Sequence, residues 1–429
     1  MRRQRLMRDR EFAGWRIVSE EGSREGLELD DFLYKNHVPH RLIDSKSEYG
    51  QSLCERLNLA SRDLPALITA NGTPLRRPSL REVAREAGLL RSMAHEDESE
   101  IMCDLAIVGA GPAGLAAAVY AASEGLKTVV LESYAPGGQA GSSSLIENFF
   151  GFPTGISGGD LTYAAQLQAY RFGAKISTPA QALVLNYTGG EHRASLHVEG
   201  CNATLRARCV IIATGAAYHR IEAERREDFE RAGVYYAATA REGKLCRGST
   251  VIVAGGGNSA GQAAMFLSEG AEKVLLVIRG AGLSKSMSSY LSRRVETREN
   301  IEILSYTVIR KMMGGKRLEA VELENTETHE RRTVETNAVF SMIGAEPCTS
   351  WLPAEIERDE RGFVKTGHAV SGSPAWAGAD RPPGPLETSL PGIFAAGDVR
   401  SGSVKRCAAA VGEGGTAVEG VHDVLRTYA

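Results

Sequence analysis

The sequence predicts an α/β protein in which two Rossmann-like dinucleotide-binding folds follow a smaller α/β domain. Three observations lead there. The apolar run Asp104 to Val108 ends in Gly109-Ala-Gly111-Pro112-Ala113-Gly114, and a helical stretch from Leu115 to Glu124 follows at once. The run Thr250 to Ala254 repeats this arrangement with Gly255-Gly-Gly257-Asn258-Ser259-Ala260 and a helix from Gln262 to Ser268. Residues 1 to about 95 precede both motifs and carry their own alternation of strand-like and helix-like segments.

Composition narrows the partners. The 429 residues hold 50 basic and 53 acidic side chains, a formal net charge of −3, so no electrostatic footprint for nucleic acid or an anionic membrane is present. No run approaches the roughly 18 apolar residues that cross a bilayer, and the basic start Met1 to Arg8 has no apolar stretch behind it. The seven cysteines (54, 103, 201, 209, 246, 348, 407) are odd in number and never in CxxC spacing, which reads as reduced thiols of the cytoplasm and gives no zinc-ligand pattern.

In the leading domain, Trp15 to Ser19 and His40 to Asp44 read as strands. Leu27 to Asn36 has Leu29, Phe32 and Leu33 at helical spacing, and Tyr49 to Leu57 gives a second helix. Leu64 to Thr69 is a third strand opened by Pro65, Asn71-Gly72 marks a hairpin turn, and Pro78-Ser79 caps a last helix from Leu80 to Ala87. This β-α-β-α-β-β-α order resembles a thioredoxin or glutaredoxin fold, and Leu64-Pro65 stands where that fold carries its cis-proline. The redox cysteines of that fold would lie near Ser23 to Gly26, where there are none. The domain therefore reads as a docking or dimer module, and hydride transfer is expected not to need it. The polar run His95 to Glu100 reads as part of a linker, 96–103.

At the first fingerprint each glycine has a task. Gly109 permits the tight turn, Gly111 lets the backbone approach a pyrophosphate, and Gly114 lets helix and strand pack closely. The helix N-terminus turns free N–H groups toward the phosphates. The next strand, Thr128 to Leu131, ends in Glu132, placed to accept hydrogen bonds from a ribose. The second fingerprint has Ala260 at the third glycine position. Its following strand, Val274 to Ile278, ends in Arg279 rather than an acid, which favours the 2′-phosphate of NADPH over the bare ribose of NADH.

The fingerprint, Glu132, Ala135-Pro-Gly-Gly138-Gln139, Ile146-Glu-Asn148-Phe-Phe-Gly-Phe-Pro153, Ala213-Thr214-Gly215 and Ala396-Gly397-Asp398 occur in this order. In that order they resemble the low-molecular-weight thioredoxin reductases over residues 103 to 429. The resemblance implies FAD at the first fingerprint. Glu132 would hold the adenosine ribose, Gly138, Gln139 and Asn148 would line the flavin side, and Asp398 would bond the ribityl chain. Arg406 and the helix around Ala408 to Val411 would bring a helix N-terminus to the pyrimidine end of the ring, where negative charge is stabilised. The FAD domain is then split, 104–217 and 338–429, around an inserted NADPH domain, 218–337, and the protein forms a homodimer. Where the related reductases carry His-Arg-Arg and a further Arg, this chain has Ile278, Arg279, Gly280 and Ser284, with Lys285 next to the last.

One departure bears directly on activity. The family's Cys-x-x-Cys before the second fingerprint is replaced, within Gly233-Val-Tyr235-Tyr236, by Ala237-Ala-Thr-Ala240. Only a thiolate attacks a disulfide, so thioredoxin reduction is not expected, and Cys246 is a single thiol that reads as a buried small residue. What remains is hydride transfer from NADPH, or NADH, to the flavin and then to another acceptor, a small molecule or a protein. That step calls for no protein acid or base, and no catalytic residue is assigned. Tyr235 and Tyr236 are candidates to stack on an aromatic acceptor, with packing against the fold as their other use. Two different readings stand beside this one: a flavin monooxygenase using oxygen, and a non-catalytic module whose flavin state controls partner binding.

Overall fold

The computed structural model describes residues 14–90 and 99–427, apart from 144, 192, 202, 231, 237, 239, 284–286 and 378. The first sheet is built from β1 (Trp15–Ser19), β2 (His40–Asp44), β3 (Ala66–Ile68) and β4 (Pro74–Arg76), in the order β2-β1-β3-β4. Strands β1 and β2 are parallel, and β1 and β3 antiparallel. Helices α1 (Arg24–Lys35), α2 (Glu48–Leu57) and α3 (Leu80–Glu86) begin behind Ser23, Ser47 and Ser79, each accepting a backbone N–H of the first turn. Leu29, Phe32 and Leu33 of α1 pack on Ile17, Leu67 and Val83, as their helical spacing requires. The Leu64–Pro65 peptide is cis, and the strand after it starts at Ala66 rather than Leu64.

The second sheet carries the first fingerprint. Strand β5 (Glu100–Val108) runs into α4 (Pro112–Ser123), then β6 (Thr128–Leu131), the single turn α5 (Gly138–Gly141), α6 (Gly158–Arg171) and β7 (Lys175–Ser177). The hairpin β8 (Ala182–Tyr187) and β9 (Ala194–Val198) leads to β10 (Thr204–Ile212), and the order is β7-β6-β5-β10-β9-β8. Two expectations are corrected here. Strand β5 begins at Glu100, inside the expected linker, because Glu100 to Cys103 pair with Thr204 to Ala207 and bury Ile101 and Cys103. The start of that linker, through Glu98, lies outside the described residues. The helix begins at Pro112 rather than Leu115, since proline at the first helical turn needs no N–H partner.

A short ladder of β11 (Ala216–Tyr218) with a later strand leads out of this sheet. Beyond it, β12 (Val234–Tyr235), α7 (Ala240–Leu245), β13 (Thr250–Ala254), α8 (Asn258–Leu267), β14 (Lys273–Val277), α9 (Ser289–Glu296) and β15 (Ile301–Leu304) form the second nucleotide fold. An antiparallel meander, β16 (Thr307–Gly314), β17 (Leu318–Asn325) and β18 (Arg331–Glu335), lies against it. Next comes β19 (Val339–Ser341), which was expected to return the chain to the first fold from residue 338. It instead lies between β12 and β13 in the parallel order β12-β19-β13-β14-β15, with Val339 and Phe340 fully buried. The return is made by β20 (Ala345–Pro347), which pairs with β11 as the second half of a two-strand bridge. Strand β21 (Ile393–Ala395) then joins β10, and α10 (Cys407–Thr427) packs along α4. The contact is close: a Cβ on Gly414 would stand 2.3 Å from the Ala113 carbonyl oxygen.

The leading domain touches both nucleotide folds. Arg81 donates to the Glu199 carbonyl at 2.8 Å, while Lys316 and Arg317 of the β16–β17 turn face Glu20 and Glu21 at 3.8 and 3.6 Å.

Candidate active site

Both glycine turns open into one cavity of about 2870 Å³. A pocket for one small ligand holds roughly 300–1,000 Å³, so this volume accommodates two dinucleotides. Every residue predicted to bind a cofactor lines it except Gly114 and Ala260. Those two sit behind the turns, where each fingerprint packs its helix on its strand.

The first turn shows why glycine is required. Gly109 has φ +103°, and a Cβ there would stand 2.4 Å from the Ala213 carbonyl oxygen. Gly111 differs: its φ is −73°, and the nearest protein atom to an added Cβ is the Gly138 Cα at 3.9 Å. The space beside it belongs to the cavity, which fits a cradle for a phosphate group at the N-terminus of α4. Gly138 has φ +54° and approaches Gly111 from the other side.

Glu132 is buried at the end of β6. Its carboxylate accepts the Ala110 N–H at 2.8 Å and the Tyr134 N–H at 2.9 Å, and burial pushes its pKa up against these bonds. Gln139 donates to the Ala216 carbonyl, while Thr214 donates to the Cys348 carbonyl at 2.8 Å, which ties the Ala213-Thr214-Gly215 turn to the returning chain. Asn148 is exposed at the rim.

Asp398 is set by α10 rather than by its own loop. Glu413 accepts the Gly397 N–H at 2.7 Å and grips Arg400 at 2.6 Å, holding the turn that presents Asp398. Burial pushes the Asp398 carboxyl up, and the Lys405 ammonium, which also donates to the Asp398 carbonyl, opposes this. Arg406 stands exposed just before α10 and lines the cavity.

At the second turn, Gly255 has φ +137° and a Cβ there would meet the Met342 carbonyl at 2.2 Å. Gly257 caps α8, Ser259 faces the cavity, and Asn258 accepts the Ser288 N–H at 2.8 Å. Arg279 is exposed at the end of β14 and lines the cavity. Sequence reasoning missed Arg294 on α9. It donates to the Tyr290 hydroxyl at 3.1 Å and reaches Glu147 of the first fold at 3.6 Å, so it bridges the two nucleotide folds at the cavity wall. No local motif signals that role, because Glu147 and Arg294 meet only in three dimensions.

The sulfur chemistry is sparse. None of the seven cysteines is in a disulfide. Cys246, Cys348 and Cys407 line the cavity, and Cys246 is buried in the core of the second fold as expected. Burial raises the Cys348 thiol and, with the nearby Asp398, pushes Cys407 up to about 11. Ala237 lies outside the described residues, and Ala240 opens α7. Both tyrosines of that frame are used by the fold: Tyr235 stacks on Phe340 at 5.4 Å, and Tyr236 donates to Glu230 at 2.8 Å.

Two glycine-turn folds facing a shared cavity define an oxidoreductase that brings two nucleotide cofactors together. The chain belongs to the pyridine nucleotide-disulphide oxidoreductase family, whose model matches residues 103–414. It is 33% identical over 315 residues to the thioredoxin reductase of Schizosaccharomyces pombe, covering 72% of this chain and 92% of that protein. A 34.2 kDa protein of the rubredoxin operon of Clostridium pasteurianum is 31% identical over 317 residues, covering 74% and 95%. Among solved structures, the thioredoxin reductases of T. acidophilum and Lactococcus lactis match with TM-scores of 0.65 and 0.66 and identities of 29% and 26%. They cover 75% and 76% of this chain and 98% and 99% of their own. The chain is thus a thioredoxin-reductase-like, NAD(P)H-dependent flavoprotein oxidoreductase, and the cofactors of that family are FAD and NADPH. Among the described residues no helix is long and apolar enough to cross a membrane.

Proposed function

We propose that this chain passes electrons from NADPH through FAD to an acceptor other than a protein disulfide, a quinone or another planar molecule that reaches the cavity directly. Bound together, the two cofactors supply hydride transfer from nicotinamide to flavin. The protein's part is to hold them and exclude water. Gly111 and the N-terminus of α4 receive the FAD pyrophosphate, Glu132 the adenosine ribose, Gln139 and Asn148 the flavin side, and Asp398 the ribityl chain. Gly257, Asn258 and Ser259 at the start of α8 receive the NADPH pyrophosphate. By the same family resemblance the protein works as a homodimer, and its unbridged thiols fit a reducing cytoplasm.

The observation that carries this reading is the cavity's sulfur content. A dithiol relay needs two thiols in bonding reach and one of them ionised. The alanines at 237 and 240 remove the pair. At pH 7, a thiol with a pKa of about 11, as at Cys407, is ionised in roughly one molecule in ten thousand. Mixing the holoprotein with NADPH under anaerobic conditions tests the first half: rapid bleaching of the flavin absorbance is expected, and a flavin that stays oxidised would overturn it.

Arg279 reads the 2′-phosphate in this account. A charge-assisted hydrogen bond contributes about 1.5–3 kcal/mol, so Arg279→Ala is expected to weaken NADPH binding roughly 10- to 100-fold and leave NADH nearly unchanged. Titration of both nucleotides checks this, and equal losses for the two would remove Arg279 from the role.

A further inference from the structure

Helix α1 of the leading domain lines the same cavity as Glu132, through Asp31, Tyr34, Lys35 and the following His37. Beside Glu132, the contact between this domain and the first nucleotide fold runs through Tyr134, two positions beyond that acid. The Tyr134 ring packs into the leading domain's own hydrophobic core, edge-on to Phe32 at 5.5 Å and 76°. Its hydroxyl donates to Asp31 at 2.8 Å, and its carbonyl accepts from the buried Asn36 amide at 3.1 Å and from Thr178 at 3.0 Å. Its own N–H donates to Glu132 at 2.9 Å. The His37 ring also meets Tyr163 of α6 at 4.0 Å.

These contacts form a continuous path from α1 through Tyr134 to the Glu132 carboxylate. A loop residue anchored in another domain's core by a ring, a hydroxyl and a carbonyl loses most of its freedom, and so does the acid its N–H holds. We propose that the leading domain is a built-in part of the first dinucleotide site. Helix α1 fixes Tyr134 and thereby the Glu132 carboxylate, and closes the adenosine side of the cavity. Tyr134, Asp31 and Asn36 are positioning residues in this arrangement. The proposal rests on the first fingerprint being the FAD site. It gives this domain, which lacks a redox cysteine pair, a cofactor-holding task and revises the expectation that the flavin chemistry does not need it.

The test uses full-length apoprotein reconstituted with FAD or FMN, followed by flavin fluorescence, with Tyr134→Ala and Asp31→Ala as variants. FMN lacks the adenosine half and serves as the internal control. Tyr134→Ala is expected to weaken FAD about tenfold or more and Asp31→Ala by severalfold, with FMN affinity unchanged in both. Asp31 lies on the leading domain and carries the test if Tyr134→Ala fails to fold. Wild-type FAD affinity in the folded variants, or equal losses for FAD and FMN, would overturn the proposal. Gly111→Val in parallel separates the two readings: if it still loads FAD, the assignment of the first fingerprint fails. If it is flavin-free while the variants bind FAD normally, only the role of the leading domain fails.

Discussion

Gly111→Val is expected to give a folded protein that purifies without flavin. The reason lies in what surrounds the position. Its backbone φ of −73° suits any residue, and an added Cβ has 3.9 Å of clearance from the nearest protein atom. Valine therefore meets little of the protein, and the volume it takes is cavity volume next to the N-terminus of α4. A pyrophosphate held against that N-terminus has fixed bond lengths and cannot shift without losing the backbone N–H groups. Overpacking a tight site costs about 3 kcal/mol, which is roughly 100-fold in affinity before the lost hydrogen bonds are added. The ratio of flavin to protein absorbance, with circular dichroism to confirm folding, checks this. A yellow, fully loaded variant would contradict it.

Gly114→Ala is expected to act on the fold itself. A Cβ there would lie 1.9 Å from the Gly109 carbonyl oxygen and 3.3 Å from the Ile107 side chain. Backbone cannot rotate away as a flexible side chain does, so α4 must withdraw from β5, and α10, packed along α4, must move with it. That displacement disturbs the turn that Glu413 holds for Asp398. A loss of about 3 kcal/mol is expected, read as a fall of about 3–7 °C in the unfolding temperature, with flavin lost as a consequence. The second fold carries Ala260 at the equivalent position, fully buried, so its helix and strand leave space for a methyl group. An alanine variant at 114 with unchanged stability would show that the first fold has the same latitude.

The contrast between these glycines shows what was legible in the sequence. Local rules sufficed wherever one residue type answers one backbone need: the tight turn at Gly109, the Ser79 cap of α3, and the turn at Asn71-Gly72. The predicted cofactor residues assemble because short-range geometry fixes strand, turn and helix in each fold. Pairing across long stretches was not legible. Strand β19 is apolar and stands at the expected start of the returning half, yet it pairs with β13, since nothing in Val339-Phe340-Ser341 records which parallel sheet has a gap. Glu100 to Cys103 looked like linker because their alternation becomes meaningful only beside β10. Glu413, Arg294 and Tyr134 went unnoticed for the same reason, each acting on a residue far away in the chain or in another domain. Tyr235 and Tyr236, candidates for acceptor stacking, turn out to be held by Phe340 and Glu230. Both remain half-buried and line the cavity.

The central claim is that electrons leave this protein without a sulfur relay. Steady-state oxidation of NADPH by the holoprotein, with a quinone in one reaction and an oxidised thioredoxin in another, tests it most directly, and Cys246→Ser is run alongside. The account predicts turnover with the quinone, none above background with the disulfide, and the same pattern in Cys246→Ser. Disulfide turnover that disappears in Cys246→Ser would contradict it and place the chemistry on that single thiol.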